Sequence, residues 1–367
     1  MRRQNRIVEC IIVFLISILS INLTWAQDFI LGQEKPLGGI FSPDGNLLAV
    51  MTATGVLVFD TGSLRLIETI PVQDLSRVSI LAFSPDSRYL AWSEKTPGGG
   101  VGVWDFSASR QAAYFQLKAF DITALVFVPG GELLAVQTRD YVSIGTPDPG
   151  AVHLWKVGTW EKHGIWSPPG DPLRVPGTVS SLAFTYNGKQ FVASSTRGSV
   201  GEWVHEEFVV DVQTLKPVDS RESQGPNIIA FSPDGHFEVV PINGGNRAVQ
   251  IRDPQNHAEI ALLSDPVVGY LLFGSISPDG KWLATWNLQK EVIIWNTQTW
   301  EIEHRLTLPA GQSIAQGFVK GTYWYADLDS TGELRIWDLI AQDRVAGVFP
   351  LPDMKVTSWG YIRSGRN

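Results

Sequence analysis

The sequence predicts an all-β fold, a seven-bladed β-propeller of four-stranded antiparallel blades. Three observations predict it. Turn formers and aromatics are abundant, with 35 glycines, 22 prolines and 14 tryptophans in 367 residues. A turn motif, Phe-Ser-Pro-Asp-Gly or a close variant, recurs at steps of 42, 44, 57, 47, 45 and 42 residues. A second motif follows it in phase, alternating apolar residues that end in a large side chain and a polar one. A period of about 40–45 residues with four strands per unit is the mark of propeller blades, which bury one another's faces around a ring.

The turn motif stands at 41–45 (FSPDG), 83–87 (FSPDS), 127–131 (FVPGG), 184–188 (FTYNG), 231–235 (FSPDG) and 276–280 (ISPDG), with a degenerate seventh starting at Phe318. Proline pre-sets φ at the first central position, Asp supports the bend through its side chain, and Gly accepts a positive φ. The runs after it, such as 46–50 (NLLAV) and 281–285 (KWLAT), read as the partner strand of a hairpin. In the first blade the strands are expected near 37–41, 47–51, 55–59 and 64–70.

The second motif reads VLVFD at 56–60, VGVWD at 101–105, VHLWK at 152–156, EFVVD at 207–211, VQIRD at 249–253, VIIWN at 292–296 and LRIWD at 334–338. Alternation places one set of side chains on each face of the strand. Trp104, Trp155, Trp295 and Trp337 are then expected to fill the space between neighbouring sheets, and the polar residue to begin the turn to the outer strand.

These units resemble WD repeats. The Trp-Asp pair is literal at Trp104-Asp105 and Trp337-Asp338, and conservatively altered at Phe59-Asp60 and Trp295-Asn296. The likeness spans 36–354 and implies a closed ring with a scaffolding role, of the bacterial exported kind with SPDG turns. The Gly-His dipeptide of many such repeats is absent, so their buried His–Asp network is not implied. SPDG turns also occur in propellers resembling the TolB family and in those of prolyl-oligopeptidase-like enzymes; the Trp-Asp ending favours the WD type.

The ends read differently. Arg2, Arg3 and Arg6, an apolar run over 10–21 and Thr24-Trp25-Ala26 form the pattern of a secretion signal over 1–26, followed by a linker over 27–35. The run is short for a bilayer span, although an uncleaved N-terminal anchor is the alternative. The expected location is therefore periplasmic or extracellular. Cys10, the one cysteine, lies in this segment, so the propeller is expected to use no disulfide. Without the segment the net charge moves from −8 to −10, which disfavours nucleic acid and anionic membrane surfaces as partners. Near the other end, 356–361 (VTSWGY) aligns with 78–83 (VSILAF). The segment 355–367 is then either an extra closing strand of a seven-bladed ring or the start of a truncated eighth repeat.

Function is less legible. Three insertions, at 139–150, 167–177 and 197–206, belong to connections on the face opposite the SPDG turns, around blades 3 and 4. Loops held on a rigid scaffold are where binding concentrates, so Tyr141, Trp203 and His205 are the expected anchors for a protein or glycan partner. The six histidines show no metal-ligand spacing, and no Gly-x-Ser-x-Gly or phosphate-cradling loop occurs. Neither metal nor cofactor is expected. His205-Glu206-Glu207 reads as a solvated loop. The oxygen-bearing run from Asp327 and Asp329 to Asp338 partly follows calcium-loop spacing, but is better explained as a turn leading into a strand. The expectation is a non-enzymatic binding scaffold. A hydrolase or lactonase with its site at the central channel is the alternative, and the small, apolar inner strands (79–83, 227–231) argue against it. A purely structural module of a longer polypeptide is a third reading.

Overall fold

The computed structural model describes residues 36–345 apart from 53–54, 64, 73–77, 95–97, 120, 140–149, 170–177, 200–201, 224–229, 243–247, 265–270, 288–290, 309–312, 320–323, 330–333 and 341–343. The expected signal (1–26), linker (27–35) and extra strand (355–367), together with Tyr141, lie outside the described residues.

The described chain forms seven sheets, each of four antiparallel strands hydrogen-bonded in sequence order. The blades span 38–70, 78–119, 121–166, 178–223, 230–263, 271–307 and 313–345. In blade 1 the strands are Gly38–Phe41, Leu47–Met51, Val56–Asp60 and Leu66–Ile70, within two residues of the expected bounds. No described residue is helical.

Each blade is sandwiched between two others, so both faces of its second and third strands must be apolar. In Leu47–Met51, Leu48 and Val50 pack against blade 7 while Ala49 and Met51 pack against blade 2. Seven such clusters fill the seven seams. The ring closes where Phe41, Leu48, Leu57 and Phe59 of blade 1 meet Val319, Leu328 and Ile336 of blade 7. Closure is by face packing. Every described blade is built from consecutive chain, with no strand exchanged between first and last.

One register pair repeats around the ring. Leu48, Leu90, Leu134, Phe191, Glu238, Leu283 and Tyr325 lie opposite Phe59, Trp104, Trp155, Val210, Arg252, Trp295 and Trp337. In six blades both members pack against the preceding blade. Each large apolar side chain buried this way contributes about 2–3 kcal/mol. Blade 5 carries Glu238 and Arg252 at this position.

The polar residue that ends the third strand caps the next turn, as Asp and Asn side chains do. Backbone N–H groups donate to Asp60 from Ser63 (2.7 Å), to Asp105 from Ser107 (2.9 Å), to Asp211 from Thr214 (2.8 Å), to Asn296 from Gln298 (2.9 Å) and to Asp338 from Ile340 (2.9 Å).

The SPDG turns touch one another in a belt. Gly188 has φ +64, and a Cβ there would lie 2.3 Å from the Pro129 carbonyl oxygen of the preceding blade. At Gly235, φ +75, a Cβ would strike the Tyr186 ring at 2.4 Å. Glycine is needed at both for backbone sign and for close approach. Blade 2 uses Ser87 instead (φ 59), whose Oγ accepts the Asp44 N–H of blade 1 at 3.3 Å.

Candidate functional site

Antiparallel strands send alternate connections to opposite ends of a blade. The SPDG turns occupy one face, and the connections from second to third strand occupy the other. On that second face blade 4 stands out. Its second strand (Gln190–Ser199) and third strand (Glu202–Asp211) pair through ten registers, from Gln190↔Asp211 to Ser199↔Glu202. The corresponding hairpins of the other blades pair through five or six. At about 3.3 Å per residue the extra rungs lengthen this hairpin by roughly 13–17 Å.

The expectation of an inserted loop at 197–206 is thereby corrected: 197–199 and 202–206 are paired β-strand. In a paired extension alternate residues satisfy their backbone groups against the opposite strand, which an irregular loop of this length would not do. Trp203 lies opposite Gly198, and His205 lies between Thr196 and Ser223 in the register; their side chains lie outside the described set. Of the other insertions, 140–149 and 170–177 are likewise outside it.

The repeat tryptophans sit at the seams. Trp104 packs between blades 1 and 2, Trp155 between 2 and 3, Trp295 between 5 and 6 and Trp337 between 6 and 7. Asp105 accepts Arg88 Nη2 at 2.8 Å and Nε at 3.2 Å besides capping its turn. The Arg88 guanidinium and the Ser107 donors hold its pKa down at about 2.

Charged groups buried elsewhere have internal partners. The carboxylate of Asp327 accepts Ser313 Oγ and Gln316 Nε2 (3.2 Å) and lies 3.5 Å from Arg335 Nη1. Arg335 Nη2 donates to Asp329 at 2.8 Å. These contacts, with Asp338 capping Ile340, account for the calcium-like spacing. Burial pushes the Asp327 carboxyl above the usual carboxylate range. In blade 2, Glu94 accepts Trp92 Nε1 (3.3 Å) and Tyr114 OH (2.9 Å). Burial, with Glu94 adding to it, pushes the Tyr114 hydroxyl up to about 12. His153 is half-buried, its ring stacked 5.7 Å from that of Trp155. No group of three or more metal-ligating side chains occurs among the described residues.

The inner strands, as described, carry one ionisable side chain, Asp121 at the start of Asp121–Phe127. Sequence reasoning passed over the surface aromatics Tyr114, Tyr186 and Trp286. Trp286, near the end of Trp282–Asn287 in blade 6, is 38% exposed on the face that carries the blade-4 hairpin. Its signal was present: other blades carry Met51, Ser93, Gln137 or Leu328 at the same step along the second strand. Nearby, Asn287 Nδ2 donates to Glu291 at 3.0 Å, and the Glu291 N–H donates back to Asn287 at 3.0 Å, tying the two strands of the hairpin together.

No family model matches the chain, and no curated protein matches it. Solved structures do. The β-propeller domain of Cps50 (Swd1) from Myceliophteria thermophila is 16% identical at a TM-score of 0.61, over 83% of this chain and 97% of that one. Hydrazine synthase of Kuenenia stuttgartiensis is 15% identical at a TM-score of 0.60, over 86% of this chain and 98% of that one. The protein has the seven-bladed β-propeller fold.

Proposed function

We propose that this protein is a non-enzymatic binding platform of the exported WD-repeat type, offering the face around blades 3 and 4 to a protein or glycan partner outside the cytoplasm. The observation that carries the reading is the blade-4 hairpin. It nearly doubles the length of its counterparts, and its added residues include Trp203 and His205. A rigid, paired projection loses less conformational entropy on binding than a loose loop. The single ionisable residue on the described inner strands supports binding over channel chemistry, and the charge of the chain disfavours nucleic acid as the partner.

The test is to replace 196–205 by Asn-Gly, which closes the hairpin in a short type I′ turn after six registers, at the length of the other blades. Folding should persist, with circular dichroism and the thermal midpoint within about 3 °C of the parent. Capture of a partner from envelope extracts by the immobilised protein should be lost. Full capture by the trimmed protein would rule out the hairpin as the platform.

A further inference from the structure

We propose that Glu94, Trp92 and Tyr114, where blade 2 faces blade 1, form a site for a cationic side chain, the ammonium of a lysine or the guanidinium of an arginine on a partner protein. Glu94 ends the second strand of blade 2 (Tyr89–Glu94), on the face opposite the SPDG turns, and is 5% exposed. Both of its oxygens accept from neutral donors, Oε1 from Trp92 Nε1 at 3.3 Å and Oε2 from Tyr114 OH at 2.9 Å. The buried carboxylates Asp105, Glu238, Asp327 and Asp329 are balanced by charge instead. They lie 2.8 Å from Arg88, 2.8 Å from Arg252, and 3.5 and 2.8 Å from Arg335. Among the described residues no cation reaches Glu94.

The strand pattern leaves a way in. Trp92 belongs to the apolar cluster between blades 1 and 2, so alternation turns Glu94 to the same side. Opposite these two, on the third strand, stand Gly102 and Gly100. A Cβ on Gly102 would collide with the Trp92 ring. One on Gly100 would collide with the Tyr114 hydroxyl and lie 3.1 Å from Glu94 Oε2. Bare backbone at both positions lets the two aromatic side chains reach the carboxylate. Tyr114 stands on the outer strand (Arg110–Ala119), opposite Gly102, and is 44% exposed. Its rotation into solvent uncovers Oε2 while Trp92, 1% exposed, stays in the core. From blade 1, Glu68 lies opposite Val58, a member of the same cluster, and so faces this groove as a second carboxylate.

A carboxylate taken out of water among neutral groups recovers only part of its lost hydration, and a cation brought to it recovers more. Hydrogen bonds from a charged donor are about twice as strong as those from a neutral one. An ammonium or guanidinium entering the groove therefore displaces the Tyr114 hydroxyl from Oε2. The freed ring then flanks the cation, which its π-face attracts. The net charge of −8 draws such a partner. One ion pair and one ring hold a free amine only weakly, so the cation belongs to a partner that adds contacts of its own. The site lies on blade 2 and stands whether or not the blade-4 hairpin binds anything.

Fluorescence anisotropy of the full chain with a labelled peptide of four Gly-Arg repeats, in about 0.15 M salt, tests this. Glu94→Gln keeps the shape of the carboxylate and removes its charge, so it should fold and weaken peptide binding about tenfold. Glu301→Gln makes the same change in net charge at an exposed position of blade 6 and should weaken binding less than about twofold. Replacement of 196–205 by Asn-Gly should leave it unchanged. Equal weakening by Glu94→Gln and Glu301→Gln would show that net charge alone attracts the peptide, and would overturn the proposal. Spermidine bound through Glu94 as tightly as the peptide would rule out a partner's side chain as the ligand. Where Glu94→Gln does not fold, Tyr114→Phe decides. It keeps the ring and removes the hydroxyl that competes for Oε2, so peptide affinity should rise about threefold; an unchanged or lower affinity would contradict the site.

Discussion

Asp105 shows how much one polar side chain does at the end of a third strand. It caps its turn through the Ser107 N–H and pairs with Arg88, which precedes the second strand of blade 2. Its folded-state pKa, about 2, is below the unfolded value near 3.9. A depressed carboxylate pKa contributes stability that is complete above the unfolded value and lost as pH falls through the folded one. Arg88 is 48% exposed, so screening limits the pair to about 1 kcal/mol. Asp105→Asn should cost about that much at pH 7 and flatten the decline in stability between about pH 4 and 2, read from urea unfolding at each pH. Glycines in the turn belt separate two costs of a Cβ. Gly188→Ala meets both a positive φ and the Pro129 carbonyl, whereas Gly130→Ala meets a positive φ (+98) with nothing within 4 Å. The first should lose about 3 kcal/mol or more and the second about 1, measured by the same unfolding assay.

A strand with both faces buried cannot be judged by its own blade alone. Trp337 belongs to blade 7 but fills the seam to blade 6 with Phe318, Tyr325, Ile294 and Leu308. Trp337→Ala should cost about 3–5 kcal/mol, and the loss should appear as loosened amides in blade 6 as well as blade 7. At Arg252 the same position should behave otherwise. Truncating Arg252 leaves Glu238 buried without its cation, so Arg252→Ala should destabilise more than the small apolar area it buries would imply. Chemical denaturation of the two variants side by side checks the contrast.

At the scale of the molecule, seven similar sheets make one cooperative object because each lacks a core of its own. The clusters all lie between blades, and the second strand of every blade divides its side chains between two of them. An isolated blade 6 (271–307) would expose Leu283 and Ile293 on one face and Val292 and Ile294 on the other. It should show no sheet signal by circular dichroism at low micromolar concentration, while the full ring unfolds as a unit. A stable isolated blade would contradict this account of the fold.

The repeat determined what was local. Turn chemistry placed the six SPDG-type bends, alternation placed the strands of blade 1 to within two residues, and the Trp-Asp ending located the side chains that fill the seams. Those features depend on a few neighbouring residues with period two or with a required φ, and such patterns survive in a bare sequence. What depends on partners brought from a distance was decided only in three dimensions. The segment 197–206 looks like an insertion in the sequence, and only its ten-register pairing makes it a rigid projection. Glu238 looks like an ordinary surface residue of a β-strand, because nothing nearby announces its burial. It is buried because ring closure carries blade 4 against that face, and burial, unlike a turn, is a property of the whole ring.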